Sequence, residues 1–430
     1  MDKDMEKTRL SSLNIPALTG GKDGTGIPRT LSRVSVLDRW MARKLLDLLD
    51  NPPLAIVLWN GEKTVSSDAP VIAQMHIHDS DVLQKLLMNP ALHFGDLYSA
   101  GRIEVEGNLV DFLVMAYRAA GSSPKYQKLK EAQTRLFNRP RSNRPADSRD
   151  NIHHHYDLGN EFYELWLDRE AMQYTCAYFP DPGVSIAAAQ RAKMDYVCRK
   201  LRLRPGDRVV EAGCGWGGFA LHMAQHYGVT VKSYNISHQQ ILYARKRAKA
   251  ANLTKSVEYI EDDYRKITGE FDVFVSVGML EHVGRENYRE LGDVIHRCLT
   301  PAGRGLIHSI GRNKPERLNA WIEKRIFPGA YPPALSEIMD VFEASDFSVL
   351  DIENLRLHYA RTLELWLEGF ERNAEKIEKT YDRAFVRAWR LYLAGSIAGF
   401  KSGTMQLFQI LFTRGTNNDL PWSRAHLYQE

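Results

Sequence analysis

The distribution of apolar residues predicts an α/β protein: a Rossmann-like, mostly parallel sheet with helical additions, preceded by a small α+β domain. Three observations carry this. From residue 151 on, strand-length and helix-length apolar patterns alternate, a rhythm that builds parallel sheets covered by helices on both faces. The strand Arg208–Ala212 runs directly into a turn holding Gly213, Gly215, Gly217 and Gly218. Residues 31–120 carry a separate set of shorter elements, followed by a stretch crowded with basic residues.

Residues 1–30 are charged and then rich in glycine and proline, without the apolar core of a secretory signal, and are expected to be disordered. In the small domain, Val34–Leu49 has helical spacing and Leu54–Trp59 is a strand ending at the Asn60-Gly61 turn. Ala69–His78 alternates like a paired strand, and Asp81–Leu87 and Leu109–Ala120 are helical. Residues 121–150 read as a basic linker, broken by Pro124 and by the Arg/Pro/Ser/Asn-rich segment Asn138–Arg149.

The domain over 151–430 opens with helices Asn160–Leu167 and Ile186–Leu201. Strand Arg208–Ala212, helix Phe219–Tyr227, strand Val229–Asn235, helix Gln239–Ala251 and strands Val257–Glu261 and Phe271–Val277 follow. Helix Arg285–Leu299, a turn at Pro301-Ala302-Gly303 and strand Gly305–Ser309 complete the repeat. The remainder adds strand Phe347–Leu355, one long helical stretch Thr362–Ser402 and a closing strand Met405–Phe412.

Composition excludes several classes. No apolar run approaches the roughly 20 residues of a membrane span. Cys176, Cys198, Cys214 and Cys298 are scattered without a C-x-x-C pair, so no disulfide framework is expected and a cytoplasmic location is. A net charge of +4 is too small to argue for nucleic acid. Lys125, Lys128, Lys130, Arg135, Arg139, Arg141, Arg144 and Arg149 nevertheless crowd one stretch. They form either a solvated linker or an arm for anionic headgroups, where each contributes about 1 kcal/mol. No metal is expected, because the consecutive His153, His154 and His155 cannot converge on one ion from a helix or strand.

The glycine turn admits φ > 0 and lets a nucleotide-like ligand lie on the backbone and a helix N-terminus. Gly213–Gly218 also fits the dinucleotide fingerprint G-x-G-x-x-G. A nicotinamide enzyme usually ends its second strand on an acid, about 20 residues later, to hold the ribose. Here that strand ends Ser233-Tyr234-Asn235. Acids stand at other strand ends instead: Glu211 at the first, Asp262 and Asp263 at the third, and Glu281 after the fourth. Such a set suits an amino-acid-bearing nucleoside with a sulfonium charge, that is, S-adenosylmethionine. The plainer alternative is that each acid caps a strand or helix.

Five motifs then occur in order: His155-Tyr156-Asp157-Leu158-Gly159-Asn160, Met172-Gln173-Tyr174-Thr175-Cys176-Ala177-Tyr178-Phe179, the glycine turn, Gly278-Met279-Leu280-Glu281-His282-Val283-Gly284, and Ile307-His308-Ser309-Ile310-Gly311. With Phe327-Pro328-Gly329 and Phe412-Thr413-Arg414-Gly415, they resemble the cyclopropane-fatty-acyl-phospholipid and mycolic acid cyclopropane synthases. The likeness is strong over about 150–420 and looser over 31–120.

The resemblance implies a class I S-adenosylmethionine-dependent methyltransferase fold, acting on unsaturated phospholipid acyl chains at the membrane surface. It implies cofactor contacts from Tyr174, Thr175, Gly213, Gly215, Gly217, Asn235, Gln240, Asp262 and Asp263. It also implies a bicarbonate base held by Cys176, Glu281, His308, Ile310 and Tyr359, with Cys176 and Ile310 acting through backbone N–H groups. Tyr174, Tyr178, Phe179 and Tyr359 are candidate aromatic shields for a carbocation. Ser396 stands where some relatives have a cysteine, so covalent catalysis from there is not expected. A homodimer supported by the N-terminal domain, and peripheral association with the inner face of the membrane, are implied likewise. Three rival readings stand beside ring formation: methyl branching of the same chain, a nicotinamide oxidoreductase, and a lipid-binding protein without activity.

Overall fold

The structure, a computed structural model, describes residues 33–66, 69–137 and 158–428. The expected disorder over 1–30, the segment Asn138–Arg149 and the three histidines 153–155 lie outside those residues. The chain forms two compact units. One takes the residues up to Arg141 together with Asn319–Pro328 and Leu367–Thr404; the other takes Ser142–Leu318, Gly329–Trp366 and Met405–Glu430.

The first unit holds strands β1 (Leu54–Val57), β2 (Lys63–Val65), β3 (Ala73–Ile77) and β4 (Ile103–Glu106) in the order β2-β1-β3-β4. Only β1 and β3 run parallel. Helix starts follow capping chemistry: Ser35 and Asp38 form a capping box, and Asp79, Asn89 and Asn108 each accept an N–H of the first turn. Pro124 opens a helix, Pro124–Phe137, where the sequence suggested a linker; proline is tolerated at a first helical position because its missing N–H has no partner there anyway.

Two segments expected in the larger domain belong to this unit instead. In helix Arg383–Ser402 the buried Arg387 donates to the carbonyls of Tyr98 (2.6 Å) and Ile103 (2.9 Å), and to Glu104 (3.1 Å). Its guanidinium stacks 4.3 Å above the Tyr98 ring. Arg325 pairs with both carboxylate oxygens of Asp96, at 3.0 and 2.9 Å.

The second unit is a seven-stranded sheet. Its strands are β5 (Arg208–Ala212), β6 (Thr230–Asn235), β7 (Val257–Glu261), β8 (Phe271–Val277), β9 (Leu299–Gly311), β10 (Phe347–Asn354) and β11 (Gln406–Arg414). The order is β10-β11-β9-β8-β5-β6-β7, and β11 alone runs against the rest. Alternate residues of β5 serve opposite faces: Val209 packs with Met194, Phe219 and Ile241, and Val210 with Tyr288, Leu291 and Ile295. The chain leaves β5 for β6 and β7 on one side, then crosses to β8 and β9 on the other. The carboxyl ends of β5 and β8 therefore form the switch point where ligands of such sheets bind.

Two expectations are corrected. Pro301-Ala302-Gly303 is not a turn before a strand; β9 already starts at Leu299. The register skips from Leu299 opposite Phe271 to Arg304 opposite Val273, so the proline sits in an irregularity where no ladder donor is required. The stretch Thr362–Ser402 is broken at Asn373 and again at Asp382, which caps the last helix by accepting the Phe385 N–H at 2.7 Å.

Gly218 opens the helix after β5 and lies against the Ala171 carbonyl, where an added Cβ would stand 2.1 Å from the oxygen. Gly218→Ala is expected to cost about 1–3 kcal/mol in denaturant unfolding. An unchanged midpoint would mean that the segment around Ala171 retreats freely.

Candidate active site

The turn after β5 is tied to β6 by Gly213 and Cys214, whose N–H groups donate to the Tyr234 carbonyl at 2.9 and 3.3 Å. Its glycines serve different ends. A Cβ on Gly217 would stand 2.6 Å from both Ala244 and the Tyr259 hydroxyl, and its N–H is spent on the Cys214 carbonyl. Gly217, expected at the cofactor, is thus a packing glycine. Gly215 (φ +50°) and Gly278 (φ +71°), on the loop after β8, would carry a Cβ into open space. They leave a cradle beside the switch point.

The strand-end acids separate in the same way. Glu211 is buried and accepts the Ser233 hydroxyl at 2.6 Å across the β5–β6 pair; burial pushes its carboxyl up to about 7. Asp263 caps a short 3₁₀ turn and is engaged by Arg265, at 3.1 Å to each oxygen. Asp262 accepts only the neighbouring Asp263 N–H (2.8 Å) and makes no ion pair among the described residues. Asn235 donates to Gln240 (2.8 Å) and to the Gly215 carbonyl (3.4 Å), which brings the two expected contacts to the cradle.

The loop after β8 folds into a 3₁₀ turn that buries Glu281. Its Oε1 accepts the Ile310 N–H at 2.6 Å, and its Oε2 has no partner among the described residues. Burial pushes this carboxyl up to about 7, against the pull of its own N–H, the Ile310 N–H and the Ser309 side chain. The Ile310 donor, expected to face an anion, is therefore taken by Glu281.

His308 stands directly opposite Gln409 on β11, and the Gln409 amide donates to Nδ1 at 3.1 Å. The ring proton is thereby assigned to Nε2, which lies 3.4 Å from the Thr175 hydroxyl. Complete burial, with the cations of Lys193 and Lys200 nearby, holds His308 neutral well below the usual imidazole range.

Thr175 and Cys176 lie on a loop clamped from behind. Asp168 accepts the N–H groups of Ala171 (2.7 Å) and Gln173 (2.9 Å), and the Gln190 amide donates to the Thr175 carbonyl (2.8 Å). Cys176 is fully buried and its thiol is raised by burial, so it is no nucleophile. Its N–H makes no hydrogen bond to a described residue. Tyr174 joins an aromatic cluster with Tyr163 (5.4 Å), Trp166 (5.4 Å) and Trp366 (5.3 Å), and Tyr359 reaches it through Trp366 (6.0 Å). Tyr178 is a different matter. It stacks on Tyr196 at 4.3 Å and on His358 at 4.9 Å, so its ring faces are occupied and it is no cation shield.

The description Mycolic acid cyclopropane synthetase matches residues 143–410, and a domain of unknown function matches residues 41–128. The chain belongs to the mycolic acid cyclopropane synthetase family. It is 35% identical over 399 residues to the cyclopropane-fatty-acyl-phospholipid synthase of Escherichia coli K12, covering 92% of this chain and 99% of that one. To the tuberculostearic acid methyltransferase UfaA1 of Mycobacterium tuberculosis it is 32% identical over 401 residues, 89% and 92% of the two chains. Among solved structures it is similar to the cyclopropane synthase MmaA2 of M. tuberculosis, with TM-score 0.59 and 26% identity over 62% of this chain and 98% of that one. The mycolic acid cyclopropane synthase CmaA1 complexed with SAH and CTAB matches with TM-score 0.59 and 28% identity over the same shares. This member of the family is thus an S-adenosylmethionine-dependent methyltransferase with the α/β fold expected for one. Its residues fit that cofactor: the cradle at Gly215 and Gly278 is open, Asn235 and Gln240 border it, and Asp262 follows Glu261, the β7 residue paired with Asn235.

Sequence reasoning missed Asp168, Gln190, Lys193 and Gln409. The signal for two of them was present: Gln190 and Lys193 fall on the buried face of helix Ile186–Lys200 beside Ala189, Met194 and Val197.

Glu281 holds its proton in the folded chain between about 4.3, its unfolded value, and about 7. In that window the folded state binds more protons than the unfolded one, so this carboxyl's contribution to stability falls as pH rises. Glu281→Gln removes that contribution. Its melting temperature should decline less than the parent's between about pH 5 and about pH 8; parallel curves would show that Glu281 titrates normally.

Proposed function

We propose that this methyltransferase adds a methylene across the cis double bond of an unsaturated phospholipid acyl chain, forming a cyclopropane with bicarbonate as base. The observation that carries the reading is the buried Glu281 carboxyl, with Oε2 unspent and a proton held near neutral pH, on the same sheet edge as His308. The name of the E. coli relative supports the substrate. Bound S-adenosylmethionine supplies an electrophilic methyl group; Tyr174, Thr175, Gly213, Gly215, Asn235, Gln240 and Asp262 would hold it.

The chain's own residues then meet two demands. A cationic acyl chain needs electron-rich surroundings that exclude water, and Tyr174, the partly exposed member of the cluster packed on Tyr163, Trp166 and Trp366, is the ring placed to provide an aromatic face. A proton must also leave without the base being methylated first. Bicarbonate fits the donors present: the Cys176 N–H and the His308 Nε2–H can hold an anion, and the protonated Glu281 can orient it by donating a hydrogen bond, relaying the proton that the bicarbonate takes from the acyl chain. Methyl branching is the second reading, favoured by the likeness to the tuberculostearic acid methyltransferase.

Access to lipid would come from the N-terminal unit at the cytoplasmic face of the membrane. Helix Val36–Leu48 exposes Val36, Leu37 and Trp40 together, whereas Lys125 of the expected basic arm is paired with Asp47. Among the described residues no helix is long and apolar enough to span a bilayer.

Mass spectrometry of lipids from cells expressing the chain tests the reaction. Both readings add one CH₂; loss of the double bond means a ring, and its survival means a methylated alkene. An unchanged lipid profile overturns both. Glu281→Gln should lower turnover by about 10²-fold or more with cofactor affinity retained; near-normal turnover would remove Glu281 from the proton's path.

A further inference from the structure

Lys193 is the least expected side chain of the larger unit. It projects from the buried face of helix Ile186–Lys200 and is 1% exposed. Its Nζ stands 2.5 Å from Gln173 Oε1 and 5.8 Å from the Phe219 ring centroid. Among the described residues it makes no ion pair. The titratable groups around it are Cys176, Asp168, Glu211, Cys198 and the neutral His308. Asp168 is spent on the amides of Ala171 and Gln173, Glu211 on the Ser233 hydroxyl, and both thiols are held neutral by burial. A buried ammonium without a counter-ion is costly, and a methionine would fill the space without that cost.

What the ammonium holds is Gln173, and Gln173 immediately precedes Tyr174, Thr175 and Cys176. The segment needs holding. Met172 adopts φ +52°, a region an unbranched side chain seldom enters unless its surroundings impose it. Asp168 fixes the segment at one end and Gln190 at the other, each through backbone groups. The Arg247 guanidinium donates to the Ala171 carbonyl at 3.1 Å, and between the two ends Lys193 supplies a charged contact to a side chain, that of Gln173.

We propose that Lys193 is a positioning residue that, through Gln173, fixes the segment presenting Tyr174, Thr175 and Cys176 to the cofactor. The inference rests on the assignment of those three residues to the site. Burial lowers the Lys193 ammonium to about 8, so the tether weakens in mildly alkaline solution.

Calorimetric titration of the full chain with S-adenosylmethionine tests this. Lys193→Met and Gln173→Leu should each weaken binding about tenfold, and the double variant should be no worse than either. Binding to the parent should weaken as pH rises through about 8, and Lys193→Met should lack that dependence. Gln173→Glu, which gives the ammonium a carboxylate, should bind nearly as the parent does. Parental affinity in Lys193→Met, or effects that add in the double variant, would overturn the proposal. Should Lys193→Met not fold, equal affinities of Gln173→Glu and Gln173→Leu would overturn it instead. Tyr174→Ala serves as the control: parental binding there defeats the site assignment itself, and weakened binding there with an unaffected Lys193→Met defeats only the tether.

Discussion

The hydrogen bond from the Ile310 N–H to Glu281 is the contact on which the rest of the site depends. It ties the loop after β8 to the end of β9, and it consumes one oxygen of a carboxyl that burial has already driven toward its protonated form. The remaining oxygen has nothing to bind among the described residues. A buried polar atom left in that state is expensive, and the fold tolerates it at the one sheet edge where a ligand belongs. The neutral His308 follows the same logic. Burial strips its charge, and Gln409 across the ladder selects the nitrogen that keeps the proton.

This arrangement separates the chemistry from the scaffold that aims it. Gly217 and Gly218 pack helices and a loop; Gly215 and Gly278 leave room. Glu211 and Asp263 are absorbed by Ser233 and Arg265, whereas Asp262 is not. Residues that look equivalent in a motif thus divide into those that build the pocket and those that face it. That division is set by what stands beside each one in three dimensions.

The parallel sheet was legible because its central strands β5 and β8 are largely buried on both faces, its edge strand β7 alternates between buried and exposed residues, and its helices keep their period, so β5, β7 and β8 begin and end where those patterns do. The irregular start of β9 was not, because Pro301 and Gly303 carry the local signal of a turn and only the pairing with β8 and β11 overrides it. Most site residues were legible through motifs. Their roles were less so: Ile310 looked like an anion donor until Glu281 proved to occupy its N–H, and Tyr178 looked like a shield until two rings covered it. Lys193 was overlooked because a lysine in a helix is ordinarily read as surface.

Helix Arg383–Ser402 carries a consequence for how such chains are divided. It lies far along the sequence, yet Phe385, Trp389 and Leu391 are buried in the unit to which residues 33–137 contribute, and Arg387 satisfies carbonyls of Tyr98 and Ile103. An N-terminal fragment cut near Arg141 would lose that guanidinium and leave those carbonyls to water. A chain with the catalytic sheet but no counterpart of residues 33–137 would have to cover the same helix face in another way. In this chain the boundary is therefore written less at a linker than on one face of a late helix, whose buried aromatic residues belong to the front unit.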